Sequence, residues 1–332
     1  MTKTKLVDLK TLEHVAQACG VSAEFIVQYA NDQRQRDYYF RIKIPKRGKN
    51  RNRQFRIVFQ AKEYQLASLH RSVAMIIANS VQFGEQVQGF RKKRSSRSNA
   101  QQHLAKAVIL HADIKSFFDS ITTEQVHVAF VSQGVSNEIA QLLAKACTIE
   151  GLLRQGTRCS PILANLVCAG LDNKLLALAH SCHSVFTRYA DDLTFSGDQV
   201  PSSAAVKTIV ESEGFTLRDD KCKLQRQGRC QYVTGLTVSD GNMPRLPRRL
   251  KSRLRLIFHY IEKNGLTEHW QKTGQKNGRR KEQWLDGMLQ YAASIEPDLA
   301  NKWQDILTTA KVQKAATARQ KYFVDCGIDD ID

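Results

Sequence analysis

Two adjacent carboxylates, Asp191 and Asp192, lie in the run Thr187-Arg188-Tyr189-Ala190-Asp191-Asp192-Leu193-Thr194-Phe195-Ser196-Gly197. Apolar and β-branched residues flank the pair and Gly197 closes the run, which predicts a β-hairpin with the aspartates at its turn. Aspartates at a hairpin tip repel each other and gain nothing from burial unless a cation lies between them. Hard oxygen ligands of this kind suit Mg²⁺, which takes one or two carboxylates and fills its other positions with waters and substrate phosphates. An Asp-Asp surface turn is the alternative, and the other elements must decide.

The strand Val108-Ile109-Leu110-His111-Ala112-Asp113-Ile114 is of buried type and carries an acid at its end, a place where sheets hold ligands and metals. It offers a third carboxylate, Asp113, on a neighbouring strand of one sheet. Gly151 to Leu166 reads as a loop entering a helix, with Ser160 as cap and Pro161 at the first helical position. Glu213 to Leu217 reads as a strand before the charged turn Arg218 to Lys223, and Tyr232 to Val238 as another. Upstream, residues 7–30 predict two helices broken at Gly20, the second capped by Ser22. Tyr38 to Phe59 alternates as a β-hairpin with a basic turn from Pro45 to Asn52, and residues 62–83 are helical. The loop Arg91-Lys92-Lys93-Arg94 is too polar for a core and suits a phosphate backbone. Asn99 or Ser98 then caps a helix. Beyond Pro244 and Pro247, Leu250, Leu254, Ile257 and Ile261 form one helical stripe, and basic residues cover the other faces.

The 332 residues carry 50 Lys and Arg against 32 Asp and Glu, a net charge of +18, which attracts a polyanion. The opening has no apolar signal core and no run of about 18 apolar residues occurs, so a cytoplasmic protein without a membrane partner is expected. Eight cysteines without a CxxC pair read as reduced thiols, and His180, Cys182 and His183 lack a second pair at zinc spacing.

The order of strand-Asp, Gln-Gly loop with helix, Tyr-Ala-Asp-Asp hairpin, Lys-bearing turn and Gly-bearing strand resembles the reverse transcriptases over residues 40–240. Asn99-Ala100-Gln101-Gln102-His103 and Val233-Thr234-Gly235 resemble the Asn-Ala-x-x-His and Val-Thr-Gly boxes of the bacterial retron lineage. The resemblance implies an α+β right-hand polymerase with fingers, a palm of antiparallel sheet plus helices, and a helical thumb. The expected domains are a helical extension (1–36), fingers (37–107), palm (108–240, with a finger-contributing insertion at about 123–155) and a basic thumb with C-terminal tail (241–332). Asp113 and Asp191 are then the main ligands of two Mg²⁺ ions, with Asp192 a weaker third because successive strand side chains alternate faces. Lys221 matches the lysine that protonates pyrophosphate, and Phe118 the bulky residue that excludes a 2′-hydroxyl. Gln155, Gly156 and Ile114 are expected at the nucleotide, with Arg56 on its triphosphate. Arg91, Lys92, Lys93, Arg94, Asn99, His103, Val233, Thr234 and Gly235 are expected on nucleic acid. So are Arg245, Arg248, Arg249, Lys251, Arg253 and Arg255, whose basic face suits an A-form duplex. In one place the chain departs from the pattern: Arg154 precedes Gln155 where the family usually has proline.

The resemblance further implies deoxynucleoside triphosphates as substrates and a structured non-coding RNA as template and primer. Synthesis would start at a guanosine 2′-hydroxyl and leave a branched RNA–DNA hybrid, the msDNA. With no segment resembling ribonuclease H and no length for a toxic domain, a host ribonuclease H and a separate antiphage effector protein are expected as partners. Two other readings compete. An intron-like reverse transcriptase would want a maturase or endonuclease domain after the thumb, for which the chain ends too early. A non-catalytic RNA-binding protein would make poor use of three carboxylates.

Overall fold

The computed structural model describes residues 4–45, 55–272 and 278–325. The basic hairpin turn expected at 45–52 falls outside them from residue 46 onward, as does the tail after Asp325. The chain divides into two compact units, Met1–Arg229 and Cys230–Asp332. The division precedes residue 241 because the hairpin of β7 (Tyr232–Val233) and β8 (Leu236–Thr237) belongs with the helices after it, Thr237 pairing with Arg245.

In the first unit, Thr11 and Ser22 cap α1 (Leu12–Cys19) and α2 (Ala23–Asn31) through hydrogen bonds to His14 and Phe25. Strands β1 (Tyr39–Pro45) and β2 (Phe55–Ala61) form an antiparallel hairpin, followed by α3 (Tyr64–Ser80) and α4 (Ser96–Gln101). The α4 cap is Ser95, upstream of the expected Ser98 or Asn99, because Ser95 and Ser98 bond reciprocally across the first turn. Next come β3 (Val108–Asp113), α5 (Thr123–Val131), α6 (Asn137–Cys147), α7 (Ser160–Val167) and α8 (Ala169–Ser181). Then follow β4 (Val185–Tyr189), β5 (Asp192–Gly197), α9 (Ser203–Ser212) and β6 (Lys223–Arg226). Residues 213–217 are not a strand. They make a single bridge, Leu217 to Ile114, and the edge strand is β6.

The central sheet has the order β4-β5-β3-β6, antiparallel throughout. One buried cluster joins Val15 and Ile26 of the first two helices to Leu69 of α3, Leu143 of α6, Leu163 of α7 and Phe195 of β5. The N-terminal helices therefore share the core of the sheet. No single helix among the described residues is long and apolar enough to cross a membrane.

In the second unit, α10 (Arg248–Lys272, broken at Gly265), α11 (Gly278–Ile295) and α12 (Pro297–Asp325) pack around Leu254, Phe258, Leu285 and Leu307. Phe258 stacks on Trp303 with ring centroids 5.4 Å apart. Leu254 and Ile261 of the predicted stripe are fully buried, and Leu250 and Ile257 half-buried.

Behind the β4–β5 hairpin lies His103, fully buried, with Nδ1 2.7 Å from Ser196 Oγ and Nε2 2.7 Å from Thr187 Oγ1. Burial, helped by His111 and Lys106, pushes its pKa down to about 3, so the ring is neutral and joins both strands as one donor and one acceptor. Below pH 6.5 the unfolded chain binds a proton here that the folded chain refuses until about pH 3. This contribution to stability is present above pH 6.5 and is lost as pH falls toward 3. Urea unfolding is expected to show on the order of 1–2 kcal/mol less stability at pH 5 than at pH 7 from this group. His103→Gln should remove that part of the slope, and an identical slope in the variant would refute the assignment.

Candidate active site

Ala190 and Asp191 form the turn between β4 and β5, with Ala190 at φ 59. The β3–β5 register sets Asp113 opposite Asp192, and the Ile114 amide donates to the Asp191 carbonyl at 2.9 Å. Three carboxylates thus gather at one end of two paired strands, Asp113 buried, Asp191 half-buried and Asp192 exposed. Desolvation first, and Asp113 second, raise the Asp191 pKa. Desolvation, then Asp191 and Asp113, push Asp192 up to about 6. Cations border this negative cluster. Lys221 Nζ donates to Asp113 Oδ2 at 2.5 Å, Arg218 Nε lies 3.7 Å from Asp113 Oδ1, and the charge of Arg56 acts on Asp191.

The donor set fits a hard divalent cation: carboxylates held above their ordinary pKa by desolvation first and by neighbouring carboxylates second are what such an ion relieves. Among the described residues no three acidic, imidazole or thiol groups already meet as a closed metal cage. Asp113 is instead turned onto Lys221, whose ammonium supplies the neutralising charge. The alternation argument that ranked Asp192 third does not hold. Asp191 lies in the turn, and Asp192 is the residue paired with Asp113.

Beside the carboxylates, the 3-10 turn Phe117–Ser120 carries the half-buried Phe118, its ring centroid 5.4 Å from Phe117 and 5.9 Å from Phe90. The Gln155 carbonyl accepts from the Phe59 amide at 2.7 Å, which seats the Gln-Gly loop on β2. Gly156 has φ 107, and a Cβ there would come within 2.5 Å of Val58 Cγ1 and 2.7 Å of the Phe59 amide nitrogen, so no side chain fits. Gln155 is half-buried, Gly156 and Arg56 are exposed, and the Ile114 side chain is in the core, where it offers a ligand only backbone.

The expected nucleic-acid residues separate into surface and interior groups. Lys92, Lys93, Arg248, Arg249, Arg253 and Arg255 are exposed, Arg253 lying 5.1 Å over the Trp284 ring. Arg91 donates to the Gly84 and Val87 carbonyls, Arg94 pairs with Glu85, and Arg245 and Lys251 engage Asp240 and Glu296. Asn99, His103 and Val233 are at most 1% exposed, so their side chains do not reach a nucleic-acid surface as expected from sequence. Both retron-like boxes do positional work instead: His103 joins β4 to β5, and Thr234 and Gly235, both at positive φ, turn β7 into β8.

Sequence reasoning missed the group that holds the carboxylate-bearing turn from behind. Arg188 is fully buried, its Nε and Nη2 donating to Asp172 at 2.6 and 2.7 Å and its Nη1 to the Ala190 carbonyl at 3.2 Å. Residues 86–89 lie along β4, Arg188 N donating to Gln86 O and Gln88 N to Arg188 O. A Cβ on Gly89 would come within 2.5 Å of the Ala190 nitrogen, and Asn165 Nδ2 holds the Gly89 carbonyl at 3.0 Å. The visible signal was Arg188 itself, a charge in an apolar strand that demands a buried partner. Asp172→Ala should strand this guanidinium and cost about 3–5 kcal/mol, whereas the apolar pair Asp172→Leu with Arg188→Met should recover most of that loss. Thermal unfolding of the two variants checks this, and equal destabilisation would contradict it.

Residues 44–238 match the family described as reverse transcriptase (RNA-dependent DNA polymerase). The retron Mx65 reverse transcriptase of Myxococcus xanthus is 31% identical over 317 residues, covering 88% of this chain and 70% of the relative. The retron Ec86 reverse transcriptase of Escherichia coli is 30% identical over 259 residues, covering 76% and 78%. A truncated apo telomerase of Candida tropicalis superposes with a TM-score of 0.45 at 12% identity, over 66% of this chain and 58% of that one. With its carboxylate-bearing hairpin inside the matched span, this chain belongs to the retron reverse transcriptases and is an RNA-directed DNA polymerase.

Proposed function

We propose that the chain copies part of a structured non-coding RNA into DNA, starting from the 2′-hydroxyl of a guanosine in that RNA. The product is a branched RNA–DNA hybrid, the msDNA. The observation that carries this reading is the gathering of Asp113, Asp191 and Asp192 at one strand end in a retron reverse transcriptase of charge +18.

The reaction is in-line attack of the primer hydroxyl on the α-phosphate of a deoxynucleoside triphosphate. A new O–P bond forms and pyrophosphate leaves. Asp113, Asp191 and Asp192 would hold two Mg²⁺ ions, which when bound activate the attacking oxygen and stabilise the leaving one. Arg56, an exposed cation whose charge acts on Asp191, binds the triphosphate. Lys221 carries the proton that the leaving pyrophosphate takes. Gln155 and Gly156 line the base and template, and Phe118 excludes a 2′-hydroxyl. Lys92, Lys93 and the exposed arginines of α10 take phosphates of the RNA or hybrid, whose A-form shape is read through the backbone.

The partners in this reading are the non-coding RNA, its msDNA product, a host ribonuclease H that removes copied template, and a separate effector protein in antiphage defence. The work takes place in the cytoplasm.

Asp191→Asn with Asp192→Asn should abolish DNA synthesis while the protein still binds its RNA in a gel-shift assay. Mg²⁺-dependent extension surviving in that variant would sink the mechanism. Priming is tested by replacing the guanosine with 2′-deoxyguanosine in the RNA. The expected result is loss of the branched product, and undiminished synthesis would overturn the 2′-priming.

A further inference from the structure

Arg154 stands immediately before the Gln-Gly loop, and its side chain reaches away from that loop toward the turn that carries Phe118. Its Nη1 donates to Asp119 Oδ1 at 2.9 Å, and Asp119 is the residue next to Phe118. Its guanidinium also lies 6.0 Å from the centroid of Phe59 on β2. The Arg154 side chain is only 16% exposed, so this contact is more sheltered than an ordinary surface ion pair. Among the described residues its buried Nε–H has no hydrogen-bond partner, and the Asp119 bond and the Phe59 ring hold the fork.

The backbone brings these groups together. Leu153 N donates to Ile121 O at 2.8 Å, Thr123 N donates to Gly151 O at 2.9 Å, and Thr122 bridges Leu152. The chain before the Gln-Gly loop therefore runs alongside the chain leaving the Phe118 turn. On the other side, Phe59 N binds the Gln155 carbonyl. Arg154 is thus the residue at which three segments meet: β2, the Gln-Gly loop and the 3-10 turn Phe117–Ser120.

We infer that Arg154 is a positioning residue for sugar discrimination, clamping the Phe118 turn to the nucleotide-lining loop through Asp119. A ring excludes a 2′-hydroxyl only if it cannot retreat. Phe117 and Phe90 bracket the Phe118 ring, and the Arg154–Asp119 pair fixes the backbone that carries it. The Arg154 cation over Phe59 extends the same tie to the strand that seats Gln155. Where a proline would stiffen this loop within itself, the arginine ties it to the neighbouring turn.

The inference rests on Phe118 acting as the gate, and the experiment separates the two. Single-nucleotide incorporation is measured with a deoxynucleotide and the matching ribonucleotide for Phe118→Ala, Arg154→Ala, Asp119→Ala and the swap Arg154→Asp with Asp119→Arg. Arg154→Ala and Asp119→Ala should each lower the deoxy-to-ribo ratio of kcat/KM about tenfold, ~1.4 kcal/mol of discrimination, chiefly by raising ribonucleotide use. The swap should restore part of that ratio. Loss of discrimination in Phe118→Ala with wild-type ratios in both single variants would overturn the clamp and leave the gate standing. An unchanged ratio in Phe118→Ala would overturn gate and clamp together. Lowered ratios in both single variants without recovery in the swap would assign the effect to the separate side chains and overturn the pair.

Discussion

The buried ion pair between Arg188 and Asp172 is the constraint on which the carboxylate-bearing hairpin depends. A guanidinium with no solvent contact is tolerable only if its charge is paired, and here two N–H groups go to the Asp172 carboxylate and one to the Ala190 carbonyl of the turn. Because α8 supplies the carboxylate and β4 the arginine, the helix behind the sheet sets the position of the turn in front of it. The segment 86–89 completes the hold. It hydrogen-bonds along β4 at Arg188 and presses Gly89 against Ala190, with Asn165 of α7 fastening Gly89 in turn. The turn is thus held from α8, from residues 86–89 and, through Gly89, from α7.

Holding the carboxylates together carries an electrostatic cost that the site itself displays. Desolvation raises the pKa values of Asp191 and Asp192, and the nearby charge adds to it, from Asp113 at Asp191 and from Asp191 and Asp113 at Asp192. Lys221 and Arg218 offset part of the charge from the turn after α9, and Arg56 from β2. The arrangement is a negative centre with a cationic border, suited to an ion at the centre and phosphates at the edge.

Most of the elements around this site were legible in the sequence because each has a local cause. The Thr187–Gly197 hairpin follows from alternation, although its turn is Ala190-Asp191 and not the two aspartates, α2 follows from its Ser22 cap, and β3 from an apolar run ending in Asp113. Local rules failed where competing local bonds or tertiary pairing chose the outcome. Ser95 displaced Ser98 as a cap because each of the two hydroxyls accepts from the other residue's amide, and residues 213–217 lacked a partner strand beyond one bridge. The alternation argument used to rank the aspartates does not apply for a related reason, since strand alternation cannot describe a residue in a turn, and Asp191 lies in one.

By itself, the sequence determined the chemistry: three carboxylates on two predicted strands, a Gln-Gly loop, and an excess of cations for a polyanion. These are statements about residue type and spacing, and they survive any detail of packing. Only the tertiary structure decided what holds them. That His103 and Asn99 face inward, that Arg188 finds Asp172, and that Arg154 reaches Asp119 all depend on partners 16 to 93 residues away in the chain or on burial that no local pattern encodes. Spacing along the chain says which groups are available, and packing across it says which of them are free to meet a substrate.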